Sequence, residues 1–218
     1  MKNKPGILRI NEIFFSIQGE SSQTGRPCVF VRLTYCNLRC TYCDTTYAFY
    51  EGTEMHLDDI VEKIQTFDCP LVEITGGEPL LQANVHQLAA RLCESGFEVM
   101  IETGGHMDIS KLDKRVKRIM DIKCPSSRES EKILWKNIDF LSGADEVKFV
   151  IGDYDDYTWA KNIVRKHRLD KKCTVLFSPV FDKMNYRDLA ENILRDRLPV
   201  RMQLQIHKFI WSPETRGV

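Results

Sequence analysis

Six short apolar runs rich in β-branched residues alternate with stretches of helical periodicity, and that alternation confines the chain to a few folds. The runs are Cys28–Leu33, Leu71–Thr75, Phe97–Glu102, Arg118–Ile122, Glu146–Ile151 and Cys173–Phe177. Helical spacing appears in Ile60/Val61/Ile64/Phe67, in Val85/Leu88/Ala89/Leu92, in Tyr157/Ala160/Val164 and in Tyr186/Leu189/Ala190/Ile193. Strands joined through helices require right-handed crossovers and a parallel sheet. Six units in about 180 residues are too few for a closed eight-fold barrel, which takes at least about 200 residues. The expected architecture is therefore α/β: an incomplete, TIM-like barrel of parallel strands with outer helices. A flat doubly wound sheet is the alternative. With 218 residues, 43% of them hydrophobic, the chain can bury one core, and residues 1–218 are expected to form a single domain.

In such a fold the functional groups gather at the C-terminal ends of the strands. The polar and glycine-rich segments fall there. A cysteine-rich loop follows the first run, and Thr75-Gly76-Gly77-Glu78-Pro79 follows the second. Glu102-Thr103-Gly104-Gly105, Asp121-Ile122-Lys123 and Ser178-Pro179-Val180 end the third, fourth and sixth. Residues 124–143, the most polar stretch, read as a surface loop leading into a helix.

The cysteine loop carries Cys36, Cys40 and Cys43 at Cys-x3-Cys-x2-Cys spacing, with no fourth cysteine nearby. Electron-transfer clusters are normally held by four cysteines. Three thiolates leave one iron of a cubic cluster without a protein ligand, which suits a catalyst that binds its substrate there. Half of a zinc site is the competing reading, but such sites usually add a second pair of ligands. Cys28, Cys69, Cys93, Cys124 and Cys173 lie among apolar residues and read as reduced core side chains.

Adjacent glycines at 76 and 77 would let the backbone approach a ligand, such as the amino-acid moiety of a cofactor. Pro79 suits the first position of a helix. Glu102 at a strand end could hold an ammonium or a ribose hydroxyl. Arg32 is a charge in an apolar strand and must find a partner; a substrate carboxylate would suit its fork. Thr45 offers a hard oxygen to Mg2+. Ser16-Ile17-Gln18-Gly19-Glu20 reads as a turn or a ligand clamp. His86 and His167 read as solvated helix positions, and His207 alternates with apolar residues on an expected late strand.

Lys+Arg and Asp+Glu both total 31, so no overall basic field draws the chain to nucleic acid. Residues 1–7 lack the apolar core of an export signal, and no apolar run approaches a membrane span. The expectation is a cytoplasmic protein.

Together, the cysteine triad, Tyr42 before its last member, and Gly76-Gly77-Glu78-Pro79 resemble the signature of radical S-adenosylmethionine (SAM) enzymes. The chain is similar over residues 15–207 to the 7-carboxy-7-deazaguanine synthase family within them. Phe15–Glu20, Phe30–Leu33, Cys43–Thr45, Glu102–Gly104, Lys123–Ser127, Ser178-Pro179 and Gln205–His207 carry that likeness. The resemblance implies the radical SAM type of partial barrel, a [4Fe-4S] cluster on the triad, and SAM as a regenerated source of a 5′-deoxyadenosyl radical. It implies Mg2+ on Thr45 and ring contraction of 6-carboxy-5,6,7,8-tetrahydropterin with loss of ammonia, feeding queuosine and related 7-deazapurines. SAM would be lined by Tyr42, Gly77, Glu78, Glu102, Asp121, Ile122, Lys123 and Ser178. The pterin would be held by Ile17, Gln18, Gly19, Arg32, Thr75 and His207. A flavodoxin or ferredoxin-type reductant and a homodimer are further expectations of the resemblance. An activating protein for a glycyl radical enzyme is the runner-up. It would need an open face for a peptide, whereas Arg32, Thr45 and Gln18 suit a compact acid.

Overall fold

The computed structural model describes residues 4–218. Residues 1–3, part of the segment read as lacking an export signal, lie outside them. Among the described residues, nine strands form one sheet in the order β3-β1-β2-β4-β5-β6-β7-β8-β9. They are β1 (Ile7–Ile17), β2 (Pro27–Leu33), β3 (Thr53–His56), β4 (Leu71–Gly76), β5 (Glu98–Thr103), β6 (Lys117–Asp121), β7 (Glu146–Ile151), β8 (Thr174–Pro179) and β9 (Arg201–Met202). From β2 to β9 every pairing is parallel. β1 pairs antiparallel with both β2 and β3. The sheet does not close, as expected for a partial barrel. Five helices accompany it: α1 (Leu57–Gln65), α2 (Val85–Glu94), α3 (Tyr154–His167), α4 (Tyr186–Asp196) and the single turn α5 (His207–Ile210). No described helix is long and apolar enough to cross a membrane.

Each of the six apolar runs is a strand, and each of the four periodic segments is a helix. Local chemistry sets the helix starts. Asp153 accepts from the Asp156 amide at 2.8 Å to cap α3, and Asn185 accepts from the Arg187 amide at 2.9 Å to cap α4. One face of the sheet is apolar. Val29, Val31 and Leu33 of β2 and Val72 and Ile74 of β4 are buried with Leu57, Ile60 and Ile64 of α1 and Leu88 and Leu92 of α2. Val147, Phe149 and Ile151 of β7 are buried with Tyr157, Ala160 and Val164 of α3. Strand residues alternate between faces. The intervening residues, Phe30, Arg32, Glu73, Thr75, Glu102, Asp121, Lys148 and Val150, line the inner cavity.

The β1–β2 connection, residues 18–26, closes the far end of that cavity. Ser22 donates its amide to Glu146 at the start of β7 (3.1 Å), and Lys117 at the start of β6 donates to the Ser22 hydroxyl (2.7 Å). Ser21 donates its amide to Gln203 just past β9 (2.8 Å), and Ile206 donates to the Gly19 carbonyl (3.1 Å). One loop thus spans from the N-terminal hairpin to the opposite edge of the sheet.

Residues 124–143 differ from the expected surface loop and helix. They form three 3-10 turns, at Pro125–Ser127, Ser130–Lys132 and Trp135–Phe140. They are also partly internal. Asn137 is fully buried, donates to the Gly105 and Met107 carbonyls (2.9 and 2.7 Å), and accepts from the Ile109 amide. Buried backbone carbonyls need such donors, so a polar residue here marks an internal brace. His86 and His167 are half-buried instead of solvated, and His167 stacks on Trp135 with ring centroids 4.7 Å apart.

Candidate active site

A cavity of about 510 Å3 opens at the C-terminal ends of the parallel strands and reaches down to the residue 18–26 loop. That size suits small-molecule sites. Cys36, Cys40 and Cys43 line its mouth, each a free and half-buried thiol. Burial pushes Cys40 up to about 11, and raises Cys36 and Cys43 also, while Lys123 opposes the rise. A bound metal takes the thiolate and displaces the proton. No three His, Cys, Asp or Glu among the described residues gather closely enough to hold a single metal ion. A cubane needs no such gathering, because each thiolate serves a different iron. The remaining cysteines are also free: Cys28, Cys69, Cys124 and Cys173 are buried and Cys93 is half-buried.

The two glycines after β4 do something more specific than admit a ligand. Gly76 has φ +130, and a Cβ there would meet the Leu33 backbone nitrogen at 2.5 Å. A Cβ on Gly77 would strike the Tyr35 carbonyl and lie 2.8 Å from Cys36 Cβ. The Glu78 amide donates to the Tyr35 carbonyl at 2.8 Å. The Gly-Gly-Glu-Pro loop is therefore packed against the base of the cysteine loop. The Glu78 carboxylate is buried and accepts from the Leu80 amide (3.0 Å), the Thr103 hydroxyl (2.9 Å) and the Gly104 amide (2.8 Å). It ties the ends of β4 and β5 together while lining the cavity. His106 extends the brace, with its Nε2 2.6 Å from Asn37 between the first two cysteines.

Further down, the wall is charged. Lys148 is buried and pairs with Glu20 at 2.8 Å, with Glu102, and with Asp121 at 3.7 Å. Lys123 pairs with Asp121 at 2.7 Å, leaving the buried Asp121 Oδ1 without a protein partner. Burial alone would raise Glu20, but Lys148 holds it down to about 2. Burial pushes Glu73 up to about 8, helped by Glu102 and Glu20, and Gln18 donates its side-chain amide to it. Arg32 already has a partner, Glu12 at 2.7 Å through Nε, so no substrate is required to neutralise it. Its remaining N–H groups carry no protein hydrogen bond among the described residues. The Thr45 hydroxyl donates to Asp44 (2.9 Å), whose carboxylate is held low by Lys208, 2.6 Å away.

All but two of the residues singled out from the sequence line this one cavity. They are Ile17, Gln18, Gly19, Arg32, Tyr42, Thr45, Thr75, Gly77, Glu78, Glu102, Asp121, Lys123 and His207, with the three cysteines. Ile122 and Ser178 do not line it. Ile122 is in the core with its amide donated to the Lys148 carbonyl (2.8 Å), and Ser178 is buried with its hydroxyl unpartnered. His207 opens α5 instead of lying on a strand, and packs on Gly19 so closely that a Cβ there would be 2.8 Å from its Cγ. Sequence reasoning named Glu20 only as the end of the 16–20 segment, and overlooked Glu73 and Lys148. The last two are charges on apolar strands, the same signal that singled out Arg32.

A partial parallel barrel with a three-cysteine loop at its mouth defines a radical SAM enzyme, and the family model described as the Radical SAM superfamily matches residues 31–194. Within it, the chain belongs to the 7-carboxy-7-deazaguanine synthase family. It is 49% identical to the 7-carboxy-7-deazaguanine synthase of Chlorobaculum tepidum, covering 97% of each chain. It is 46% identical to that of Koribacter versatilis, covering 97% of this chain and 100% of the relative. The crystal structure of QueE from Escherichia coli superposes with a TM-score of 0.77 at 23% identity, over 91% of this chain and 93% of that one. That last likeness shows the fold alone. Membership implies a [4Fe-4S] cluster and SAM. The residues present fit both: three free thiols edge a cavity whose wall offers an unpartnered oxygen at Asp121.

Proposed function

We propose that this chain, as one catalytic domain over residues 1–218, converts 6-carboxy-5,6,7,8-tetrahydropterin to 7-carboxy-7-deazaguanine and ammonia. The observation that carries the reading is the sharing of one cavity by Cys36, Cys40 and Cys43 with Arg32, Thr45 and Gln18. The full-length similarity to 7-carboxy-7-deazaguanine synthases supports it. Bound at the triad, a reduced [4Fe-4S] cluster with SAM supplies a carbon radical able to take a hydrogen atom from the substrate.

The chain's own residues then bind, orient and enclose. Cys36, Cys40 and Cys43 would hold three irons. Tyr42, Gly77, Glu102, Asp121 and Lys123 would border SAM, with Glu78 bracing that wall. Arg32 would take the substrate carboxylate through its free N–H groups, and Mg2+ on Thr45 would add positive charge beside it. Ile17, Gln18, Gly19, Thr75 and His207 would hold the pterin. Substrate equals product plus ammonia in atoms and electrons, so no oxidant is consumed. The reductant, of flavodoxin or ferredoxin type, serves only to prime the cluster. The same reading places the enzyme in the cytoplasm as a homodimer in queuosine and 7-deazapurine synthesis. The closed floor argues against a peptide loop as substrate.

The test is anaerobic incubation of the iron-reconstituted protein with dithionite, SAM, Mg2+ and the carboxytetrahydropterin. The deazapurine and one equivalent of ammonia are expected, and neither should form with Cys40→Ala. A protein that binds about four irons yet yields no deazapurine would refute the assignment.

A further inference from the structure

Resting on the pterin reading above, we propose that Glu73 is a specificity-determining residue, the acceptor that reads the amino-pyrimidine edge of the substrate at the cavity floor. The side chains of β4 set the depth. Glu73 and Thr75 share the inner face, about 6.6 Å apart along the strand, and β4 ends one residue later at Gly76. Gly77, the next residue, touches the cysteine loop, so Glu73 lies roughly 10 Å, three strand steps, below the cluster end of β4. A ligand whose reacting carbons face the cysteine mouth presents its opposite edge to Glu73.

Charge pairing separates Glu73 from the other acids of the cavity. Glu20 and Glu102 are taken by Lys148, Asp121 by Lys123 and Asp44 by Lys208. Glu78 is filled by three N–H or O–H donors and lies 3.6 Å from His106. Glu73 alone has no cation partner among the described residues, and its one side-chain donor is the Gln18 amide. Without a ligand Glu73 keeps a proton, but two facing N–H donors would favour its carboxylate form, which has about four acceptor positions. The unused ones match two parallel N–H donors, which a 2-amino-4-oxo pyrimidine offers at its amino group and ring N–H. Gln18 is itself fixed, because its carbonyl accepts from the Glu20 amide (3.1 Å), so Glu73 is held in place before any ligand arrives. Phe30 sits beside Glu73 in the sheet register, stacked on Phe14 at 4.9 Å, and gives that end of the cavity an aromatic wall.

The experiment compares binding of 6-carboxypterin and 6-carboxylumazine, in which oxygen replaces the 2-amino group, to the reconstituted, SAM-loaded protein by fluorescence titration. The native protein should prefer the pterin by about 10- to 100-fold, the value of a charge-assisted hydrogen bond. In Glu73→Gln the preference should shrink to within about threefold, with iron content and SAM binding unchanged, and Glu73→Asp should restore part of it. Equal affinity of the native protein for both probes overturns the inference without any variant. So does a preference that survives in Glu73→Gln. Failure of the native protein to bind either probe would instead count against the pterin reading on which the inference rests.

Discussion

Gly77 and Cys36 are in contact so close that one added carbon on Gly77 would lie 2.8 Å from Cys36 Cβ. The same carbon would strike the Tyr35 carbonyl, which is backbone and cannot swing aside. Gly77→Ala must therefore move the cysteine loop. Overpacking of this kind costs about 1–3 kcal/mol. The expected result is a folded protein whose iron content after reconstitution falls well below native. Full iron loading of the variant would show that the two loops are not coupled.

Lys148 compensates three acids inside the barrel. Burial works against its charge, but Glu102, Glu20 and Asp121 raise its pKa well above the ordinary value. Removing one member of a buried ion cluster strands the others and costs about 3–5 kcal/mol. Lys148→Met is expected to lower the thermal midpoint strongly at pH 7. The loss should shrink at pH 5, where Glu102, whose own pKa burial raises, takes up a proton more readily. An unchanged midpoint at pH 7 would show that the cluster is already protonated.

Glu73 gives a stability effect of definite sign. Its pKa rises from 4.5 to about 8 on folding, through burial and then the nearby Glu102 and Glu20. Between those two values the folded protein keeps a proton that the unfolded chain has released. Stability thus falls as the solution is made more alkaline through this window, by at most about 1.4 kcal/mol for each tenfold drop in proton concentration. Glu73→Gln cannot ionise and still offers a carbonyl to Gln18. Relative to native, its thermal midpoint should climb steadily from pH 5 to pH 8. A difference independent of pH would contradict the raised pKa.

Thr45→Val keeps the shape and removes the hydroxyl that bonds Asp44. With one oxygen fewer, the Mg2+ concentration for half-maximal turnover should rise at least about tenfold. Unchanged Mg2+ stimulation would remove Thr45 as a ligand.

Much of the fold and site was legible in the sequence because strand alternation and loop chemistry are local signals. The runs at Leu71–Thr75 and Glu146–Ile151 are strands as expected, and the polar strand ends meet around one cavity. β1 was missed because Ile7–Ile17 mixes Arg9, Asn11 and Glu12 into apolar residues and pairs antiparallel, outside the strand–helix rhythm. Glu73 and Lys148 carry the same signal as Arg32, one charge in an apolar strand, but the polar inner face they share emerges only from the tertiary structure. The bracing by Glu78 was hidden for a different reason: besides the nearby Leu80 amide, its donors come from β5 and the following loop, 25 residues downstream and beyond. His207 moved from strand to helical turn because a four-residue alternation does not outweigh its packing on Gly19.

The loop of residues 18–26 links the first hairpin to residues just past β9, through a hydrogen bond between Ser21 and Gln203 that spans 182 positions. Contacts of such long range form late, because the chain must lose its loop entropy before they reward it. During synthesis the strands through β8 can assemble with the floor loop held by Lys117, Glu146 and Lys148. The bonds to Ser21, to the Gly19 carbonyl and to the second oxygen of Glu20 wait for the segment carrying Gln203, Gln205 and Ile206. The floor of the chamber thus belongs to both ends of the sheet, and neither the first hairpin nor the segment past β9 completes it alone.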